Sequence, residues 1–365
     1  MKITLLFLGR NGAGPRYSFC MAKALVKNSN IYCQALISNN VDNIQDWEKL
    51  KYHSNFELLT IETYKNKKEF FLRFINIFSY SKISKLITKF NPDWIYIPMG
   101  ALLNPGIFLF LKGYKKIYTL HDPTQHIGEK SVFLEALRKI EIRNSCRIIL
   151  LNRFFKNLTI NKYRVCENDI TIIPHAGFFK SSKPTFHKEF QFKILFIGRI
   201  EKYKGIPLLI EAYHKVVQQI PKLKLIIAGK GDITPYKISL NNDLSSNIEI
   251  INKWLTDSEI ELLIEESDFV VLPYIDASQS GVIPIAFGNG RTVIATNVGA
   301  LSEQVPKGIG FTVEANSDDI LRKIISIYEN GIEELNKLNY NAYTYANENL
   351  TWDSSANQLI NFLKK

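Results

Sequence analysis

The chain has few cysteines and lacks the long apolar runs that cross membranes. Its four cysteines, Cys20, Cys33, Cys146 and Cys166, are scattered without the spacing of a metal or redox motif, which favours reduced thiols in a cytosolic protein. No segment reaches the roughly 18 consecutive apolar residues that a spanning helix needs. The apolar start of the chain is short and runs into glycines rather than a cleavage site, so we interpret it as a buried strand and not as a signal peptide.

Acidic residues are also scarce relative to basic ones. The sequence has 35 Asp and Glu against 46 Lys and Arg, and the net charge of +11 favours an anionic partner. Phosphorylated ligands and anionic membrane surfaces both fit this charge. Nucleic acid fits it less well, because no recognition-helix or RNA-binding pattern accompanies the basic residues. Low-complexity tracts and internal repeats are absent, and a chain of 365 residues is expected to form two domains.

Strand and helix patterns alternate along both halves of the chain. Apolar runs predict strands in the first half at Lys2–Leu8, Ile31–Ser38, Phe56–Ile61, Trp94–Pro98, Lys116–Leu120, Arg147–Leu151 and Ile170–Pro174. They predict strands in the second half at Phe192–Ile197, Lys224–Ala228, Ile248–Ile250, Phe269–Leu272, Thr292–Ala295 and Gly310–Val313. Such alternation is typical of α/β folds, so two doubly wound, Rossmann-like domains facing a cleft are predicted.

The predicted domain boundaries follow from the same pattern. Residues 1–178 form the first domain, residues 179–190 form a linker marked by serine and proline, and residues 191–345 form the second domain. The last stretch, from Glu333 to Lys365, is predicted to be helical, with residues 346–365 as a separate C-terminal helix. Its apolar face, which includes Trp352, Leu359 and Phe362, indicates that this helix docks on another part of the protein.

The stretch from Lys65 to Phe90 is basic and aromatic throughout. Phe70, Phe71, Phe74, Ile75 and Phe78 are predicted to line one side of a helix, with Lys65, Lys67, Lys68, Arg73, Lys82, Lys85 and Lys89 around it. One interpretation is an interfacial helix on an anionic leaflet. The other, which we favour, is a crossover helix that packs its aromatic side chains on the sheet, because most amphipathic helices cover a core.

The loop Gly198–Gly205 carries the clearest functional signal. It follows the apolar run that ends at Ile197 and precedes an amphipathic helix, and open α/β sheets bind ligands at the carboxyl ends of their strands. There Arg199 can grip a phosphate with two donors, while Lys204 acts as a point charge. Taken alone, the loop is explained equally well as a strand-to-helix turn with two solvated basic residues.

Two more loops of the second half favour the phosphate interpretation. Gly229–Asp232 follows a predicted strand, and its glycines let the backbone approach a ligand closely. Ser278–Val282 opens a predicted helix, where bare amides suit a phosphate. Three such loops at the ends of successive strands favour a phosphate site over ordinary strand-to-helix turns.

Strand ends in the first half carry further candidates. The glycines of Gly9–Gly14 follow the first strand, but their spacing is not the dinucleotide fingerprint, so NAD is not inferred. His121 and Asp122 follow the strand Lys116–Leu120, where chemistry is expected. Asp122 is interpreted either as a general base or as a cap for the next helix.

Together these motifs resemble those of glycosyltransferase family 4, also described as glycosyl transferases group 1, which has the two-domain GT-B fold. The matching elements run nearly from end to end and are Gly12 and Gly14, Thr119–Asp122, Ile173–Gly177, Gly198–Arg199 with Lys204–Gly205, Ala228–Gly231, Gln279–Val282, and Val293–Thr296 followed by Gly299 and Glu303. The resemblance implies sugar transfer from a nucleotide-activated donor, with retention at the anomeric carbon. It also implies that no metal or other cofactor is needed, and that the final helix crosses back to the first domain.

The resemblance assigns roles to individual residues. Arg199 and Lys204 would bind the donor diphosphate, and His121 would approach the donor sugar from the first domain. The other donor-side residues that it implies are Gly12, Gly14, Gly198, Gly205, Gly229, Trp254, Leu255, Ser280, Gly281, Val282 and Glu303. The Gly229 loop and the backbone near Trp254 and Leu255 would border the nucleobase, and the amides of Ser280–Val282 would meet the diphosphate.

Several of these assignments have an alternative. Glu303 would lie near the nucleotide end of the cleft, or would cap the helix that starts near Ala300. On the acceptor side, Arg16 would meet a phosphate or simply be solvated. Asp122 and His175 complete that side, and His175 is also interpreted as a residue that shapes the linker.

The sequence departs from the family pattern at one place. Members often carry two glutamates eight residues apart, and those positions hold Ala277 and Ile285 here. The version with Gln279, Ser280, Gly281 and Val282 looks like that of a subgroup, because the surrounding loop is intact. Recognition of the ribose and any role for a carboxylate there are left open.

The resemblance implies a bacterial hexosyltransferase that uses a UDP- or GDP-sugar. Its acceptor would be a glycan or a lipid-linked molecule in the synthesis of surface polysaccharide, such as capsule or lipopolysaccharide, or of glycolipid. Basic charge fits a lipid-diphosphate acceptor, so the expected location is cytoplasmic or peripheral on the inner face of the plasma membrane. A monomer or weak homodimer without a nucleic-acid partner is expected. The alternatives are a GT-B epimerase and a non-catalytic partner subunit that binds nucleotide-sugar.

Overall fold

The computed structural model of the chain describes residues 1–125, 131–179, 183–236 and 247–365. These residues divide into two compact units. Unit 1 consists of Met1–Pro123, Ser131–Pro174 and Trp352–Lys365, and unit 2 consists mainly of His175–Thr351. Two α/β units were predicted, but the chain enters the second one at His175, earlier than the predicted boundary at residue 178.

The elements alternate along the described residues. The strands are β1 (Lys2–Phe7), β2 (Tyr32–Ser38), β3 (Phe56–Ile61), β4 (Trp94–Ile97), β5 (Lys116–Leu120), β6 (Arg147–Leu150), β7 (Ile170–Ile172), β8 (Lys193–Ile197), β9 (Lys224–Ala228), β10 (Ile248–Ile251), β11 (Phe269–Leu272), β12 (Val293–Thr296) and β13 (Phe311–Val313). The helices are α1 (Ala13–Val26), α2 (Ile44–Leu50), α3 (Lys67–Ile75), α4 (Ile77–Phe90), α5 (Asn104–Phe108), α6 (Val132–Arg143), α7 (Lys156–Tyr163), α8 (Ile206–Val216), α9 (Asp257–Glu265), α10 (Val282–Gly288), α11 (Leu301–Gln304), α12 (Ser317–Glu329), α13 (Ile332–Asn349) and α14 (Trp352–Lys364).

Each unit is built on one parallel sheet. The first sheet has the order β3-β2-β1-β4-β5-β6-β7, and the second has the order β10-β9-β8-β11-β12-β13. Every predicted strand is present, with ends that differ by at most two residues. Ile3, Leu5 and Phe7 face one core of unit 1, whereas Leu6 and Leu8 face another. Both faces of the sheet are therefore covered, which explains why the strands appear in the sequence as continuous apolar runs.

Helix α14 returns to unit 1, as the resemblance implied. The Trp352 ring packs edge-on against Tyr17, with centroids 5.0 Å apart. Arg147 lies over the Phe362 ring, 4.6 Å from its centroid. Leu359 is buried in the same core. The predicted start of this helix at residue 346 falls inside α13, since the break between the two helices comes at Leu350 and Thr351.

The described part of the predicted linker is bound to unit 2 rather than loose. Arg291 is fully buried and donates to the carbonyl oxygen of Thr185 over 3.1 Å and to that of Ser267 over 2.7 Å. Its Nη2 lies 2.8 Å from Nε2 of His187. Burial lowers the pKa of Arg291 to about 10, so the side chain stays charged at neutral pH. Residues 180–182 lie outside the described ranges.

The basic and aromatic stretch forms two helices, α3 and α4, with a break at Asn76. In α4, Tyr80, Ile83 and Ile87 are buried, whereas Lys82, Lys85 and Lys89 are exposed, as expected for a crossover helix. The prediction that all the aromatic side chains share one packed side is wrong for α3. Phe70 is buried there, but Phe71 is 65% exposed. The side chains of Lys67 and Phe78 lie outside the described part of the structure.

Candidate active site

Two glycine loops of unit 2 lie with their backbones against each other. Gly198, directly after β8, has a φ of +139°, and Gly229, directly after β9, has a φ of +143°. The N–H of Gly198 donates to the carbonyl oxygen of Ala228 over 3.0 Å. A Cβ at Gly229 would lie only 1.9 Å from the carbonyl oxygen of Gly198. Glycine at position 229 is therefore required by the neighbouring loop, whatever its relation to a ligand.

Arg199 and Lys204 meet around two tyrosine rings. Arg199 Nη2 donates to Tyr203 Oη over 3.3 Å. Lys204 Nζ lies 3.6 Å from the centroid of the Tyr274 ring and 4.9 Å from that of Tyr203. Burial raises the pKa of Tyr274 to about 12, so its hydroxyl is neutral at physiological pH. The two cations thus stand together after β8, although their binding of a diphosphate stays a prediction.

The charge of Arg199 is only weakly engaged within the chain. Its Nη1 is 3.6 Å from Glu201 Oε1, and the two side chains are 50% and 42% exposed. A half-exposed ion pair at this distance contributes little to stability because water screens it. Arg199 can therefore exchange this contact for a phosphate at small cost.

Gly205 ties the same loop to the segment after β11. It has a φ of +64°, and a Cβ there would lie 1.9 Å from the carbonyl oxygen of Pro273. The N–H of Ile275 donates to the carbonyl oxygen of Tyr203 over 2.8 Å. Tyr274 Oη in turn lies 3.1 Å from Ser280 Oγ. This chain of contacts joins the Arg199–Lys204 loop to the Ser278–Val282 loop.

The Ser280 loop is held by a residue that the sequence analysis missed. The Ser280 N–H donates to Gln304 Oε1 over 2.7 Å, and Gln304 Nε2 donates back to the Ser280 carbonyl oxygen over 3.2 Å. The Val282 N–H donates to Ser280 Oγ over 3.3 Å. Two of the three amides assigned to the diphosphate thus have partners within the chain. Their binding of a ligand stays a prediction, and for Ser280 it requires the Gln304 contact to open.

His175 lies in unit 2, beside Gly281. A Cβ at Gly281 would lie 3.5 Å from Cε1 and 3.6 Å from Nε2 of the imidazole. His175 Nδ1 is 2.7 Å from the carbonyl oxygen of Ala176, so Nδ1 carries the proton of this hydrogen bond. In the neutral ring, Nε2 is then the acceptor. His175 was predicted as an acceptor-side residue, but the structure groups it with the Ser280 loop.

The remaining donor-side candidates differ in exposure. Trp254 is 70% exposed, whereas Leu255 packs against the core of unit 2. Glu303 is exposed on the short helix α11, and its neighbour Gln304 is the residue that reaches the Ser280 loop. Roles for Trp254, Leu255 and Glu303 at a nucleotide stay predictions.

The glycines of the loop after β1 in unit 1 are explained by contacts and backbone conformation within the chain. Gly12 is the residue before the first turn of α1, and its backbone N–H favours the charged form of the nearby Asp42 carboxyl, although burial raises the pKa of Asp42 overall. A Cβ at Gly14 would lie 2.8 Å from the Phe7 ring and 2.9 Å from Met99 Sδ. Glycine at position 14 is thus explained by close packing. Neither glycine needs a ligand to account for it, and their role at a donor phosphate stays a prediction.

His121 lies after β5 against the buried side of α1. Its Nε2 is 2.8 Å from the carbonyl oxygen of Pro98, and its ring packs edge-on against Tyr17 at 4.6 Å between centroids. Burial lowers the pKa of His121, and the nearby Asp122 opposes this shift. The ring is therefore neutral at pH 7, with its proton on Nε2. Arg16 is half-buried on the first turn of α1.

A buried carboxylate holds the neighbouring loop after β4. Glu141 Oε1 accepts from the N–H of Ala101 over 3.1 Å and from Asn104 Nδ2 over 2.8 Å. Burial raises the pKa of Glu141 to about 7, although these hydrogen bonds act in the other direction. Sequence reasoning did not single out Glu141, because its partners lie about 40 positions away along the chain.

The two positions where the family often has glutamates carry no compensating acid. Ala277 is buried, and its carbonyl oxygen would lie 1.7 Å from a Cβ at Gly299. Ile285 packs against the core of unit 2. Among the described residues, no cluster of three or more His, Cys, Asp or Glu side chains could hold a metal ion. Within the same ranges, no helix is both long and apolar enough to cross a membrane.

Comparison with solved structures identifies the fold. A protein of Anabaena, Alr3699/HepE, solved in complex with UDP, superposes with a TM-score of 0.76 at 16% sequence identity. The alignment covers 100% of both chains. Together with the two parallel-sheet units, this similarity shows that the chain has the GT-B fold.

Sequence comparison matches the second half of the chain to a family model and parts of the chain to curated glycosyltransferases. Residues 178–345 match the family model described as "Glycosyl transferases group 1". An uncharacterized glycosyltransferase of Methanocaldococcus jannaschii is 23% identical over 65% of this chain and 64% of its own length. The gpi3 subunit of phosphatidylinositol N-acetylglucosaminyltransferase from Schizosaccharomyces pombe is 22% identical over 59% of this chain and 48% of its own length. The chain thus spans about half to two thirds of the length of these curated relatives.

Proposed function

We propose that this protein is a retaining glycosyltransferase that takes a sugar from a nucleoside-diphosphate donor bound to unit 2. The observation that carries the proposal is the pair of cations, Arg199 and Lys204, gathered around Tyr203 and Tyr274 at the carboxyl end of β8. The family match over residues 178–345 supports it, because this range contains both cations. The UDP named for the Anabaena structure supports a uridine donor.

In the proposed reaction, the bond between sugar and diphosphate breaks and negative charge grows on the leaving group. Arg199 and Lys204 stabilise that charge more strongly than they stabilise the intact donor, which lowers the barrier. Removing one such contact typically costs about 3 kcal/mol of barrier, or roughly two orders of magnitude in rate. The leaving diphosphate accepts the proton of the attacking hydroxyl, and no metal or other cofactor takes part. His121, with its proton on Nε2, contacts the donor sugar.

We further propose a lipid-linked or glycan acceptor, used in the synthesis of surface polysaccharide or glycolipid by a protein at the inner face of the plasma membrane. The phosphatidylinositol in the name of the Schizosaccharomyces pombe relative supports a lipid acceptor. The net charge of +11 supports an acceptor that carries phosphate. Arg16 and Asp122 are the acceptor-side candidates in unit 1.

Calorimetric titration with UDP, GDP and CMP, and then with their sugars, tests the donor. We expect one nucleoside diphosphate to bind and to compete with its sugar nucleotide. No binding of any of them would refute the proposal. EDTA is expected to leave binding and turnover unchanged, and a requirement for added Mg²⁺ or Mn²⁺ would refute metal independence.

Product analysis separates the remaining functions. Slow release of free sugar from the bound donor, with the anomeric configuration retained in NMR spectra, is expected for a retaining transferase. The absence of glutamates at positions 277 and 285 motivates the non-catalytic alternative, in which the donor binds but stays intact. An epimerase would instead return a changed sugar still attached to, or released from, the nucleotide.

A further inference from the structure

Unit 1 exposes an apolar surface that the proposed transfer reaction does not use. This apolar patch comprises five side chains that are 65%, 64%, 70%, 90% and 49% exposed, in the order Phe71, Leu72, Ile75, Val132 and Phe133. The first three lie on α3 and the last two open α6. The two helices meet at the rings of Phe74 and Phe133, whose centroids are 6.2 Å apart. The patch is therefore continuous across both helices.

The fold does not depend on the apolar patch. Helix α3 is anchored by Phe70, which is buried and packs against the Tyr64 ring at 5.2 Å between centroids. Its N-terminus is capped by Asn66, whose side chain accepts from the N–H of Glu69 over 3.0 Å. Arg73 forms an ion pair of 2.5 Å with Glu62. Exposed side chains on a helix held in this way contribute little to stability, and a contiguous exposed apolar surface of this kind points to a partner.

The two helices that carry the apolar patch, and α4 beside them in sequence, bear several exposed basic side chains. Exposed lysines and arginines lie on the three helices of this side of unit 1: Lys65 and Lys68 at the start of α3, Lys82 and Lys85 on α4, and Lys139 and Arg143 on α6. The nearby acids are engaged within the chain. Glu69 Oε2 accepts from the N–H of Lys65 over 2.6 Å. Glu135 pairs with Arg138 at 2.8 Å and with Lys162 at 2.8 Å.

We propose that the apolar patch docks unit 1 on the surface of an anionic lipid bilayer. Phenylalanine, leucine and isoleucine would sit at the boundary between headgroups and acyl chains, with the surrounding lysines against the lipid phosphates. A protein interface is a poorer match, because lysine is depleted in such interfaces. The docking itself is inferred only from the exposure of the patch and from the basic side chains. The idea that docking brings the protein to a lipid-linked acceptor rests on the proposed function.

Flotation with lipid vesicles tests the docking. The full chain is expected to float with vesicles of phosphatidylcholine and phosphatidylglycerol (7:3) at low salt, and to float much less with pure phosphatidylcholine. The triple variant Phe71→Ser/Leu72→Ser/Ile75→Ser is expected to bind about tenfold more weakly or worse, since it loses the apolar contact. Lys65→Gln/Lys68→Gln is expected to bind about tenfold more weakly and to depend less on salt.

Matched variants in unit 2 serve as controls. Leu262 and Tyr340 are 53% and 51% exposed, so Leu262→Ser/Tyr340→Ser removes a similar apolar surface from the other unit. Lys307→Gln/Lys337→Gln removes two exposed charges there. Both control variants are expected to float like the unchanged chain.

Several outcomes would overturn the docking proposal. The proposal fails if the chain without substitutions stays at the bottom of the gradient at low salt. It also fails if the triple variant floats normally, or if the control variants lose as much vesicle binding as the test variants. Self-association through the patch without vesicle binding would instead assign it to a second copy of the chain. UDP titration of the triple variant separates the two proposals, since lost vesicle binding with intact UDP binding is expected. If the unchanged chain floats but binds no nucleotide, only the proposed function fails.

Discussion

The loops after the first strand of each unit occupy the same place in their sheets but differ in the charged side chains beside them. In unit 1, the loop after β1 has an acid beside it, since the backbone N–H of Gly12 favours the charged form of Asp42, and Glu141 accepts a hydrogen bond from the N–H of Ala101 after β4. In unit 2, the loop after β8 presents two cations: Lys204 lies over the Tyr274 ring, and Arg199 donates to the Tyr203 hydroxyl. Glycines at a strand end are common to both loops. We expect the neighbouring side chains to decide whether an anion binds there.

The largest expected effect is on nucleotide binding. Arg199→Ala/Lys204→Ala should weaken UDP binding by about 100-fold, because two charge-assisted contacts are lost. The control is Arg10→Ala. Like Lys204, Arg10 lies over a tyrosine ring, 4.5 Å from the centroid of Tyr64, but it belongs to unit 1. Calorimetry should find less than a twofold change for it. Equal losses in the two variants would break the contrast between the loops.

Glycine substitutions sharpen the comparison through stability. Gly205→Ala should lower the free energy of unfolding by about 3 kcal/mol or more, because the left-handed backbone and the contact with the Pro273 carbonyl oxygen both oppose a Cβ. Gly12→Ala should cost about 1–3 kcal/mol, because φ +87° and ψ −152° are a backbone conformation that is essentially restricted to glycine. Gly12 has a φ of +87°, but a Cβ there meets nothing within 4 Å. Urea unfolding measures both, and a larger loss at Gly12 would contradict the structure.

The acid of α6 that holds the β4 loop, Glu141, predicts a pH dependence. Burial raises the pKa of Glu141 from an ordinary 4.5 to about 7, so the folded chain holds this proton more tightly than the unfolded chain. Its contribution to stability is full below pH 4.5 and is lost as the pH rises to about 7, which amounts to ~3 kcal/mol. Glu141→Gln should remove this loss. In urea titrations, the stability of the Glu141→Gln variant relative to the chain without substitutions should therefore rise between pH 4.5 and about 7. If the stabilities of the two proteins change with pH in parallel, the raised pKa of Glu141 is ruled out.

The smallest expected effect concerns Asp42. Asp42→Ala should lower stability by about 0.5–1 kcal/mol, as for the loss of a helix cap, because the backbone N–H groups of Gly12 and Asn43 lose the carboxylate that they favour. UDP binding should not change. Tighter binding of UDP to this variant would mean that the β1 loop is an anion site that Asp42 blocks, and it would overturn the comparison.

The sequence was sufficient for the fold but only partly for the candidate site. Strands buried on both faces, such as β1, appear as unbroken apolar runs, and Arg199 and Lys204 stand out because they follow such a run. Gln304 does not stand out, since it reaches Ser280 from 24 residues away. The break between α3 and α4 at Asn76 has no glycine or proline to mark it. Hydrophobic patterns in the sequence predict local secondary structure. Contacts between distant segments, such as that of Gln304 with Ser280, depend on tertiary packing and cannot be predicted from such patterns.

The return of α14 to unit 1 has a consequence for how the protein is made. Ala356, Leu359, Ile360 and Leu363 lie in the core formed by α1 and the first sheet. Because a ribosome delivers the chain from its N-terminus, that core lacks one wall until these residues have been translated. Unit 2, whose residues precede α14, can complete its sheet before unit 1 is closed. Although domains usually fold in the order of synthesis, the unit that begins first is finished last here.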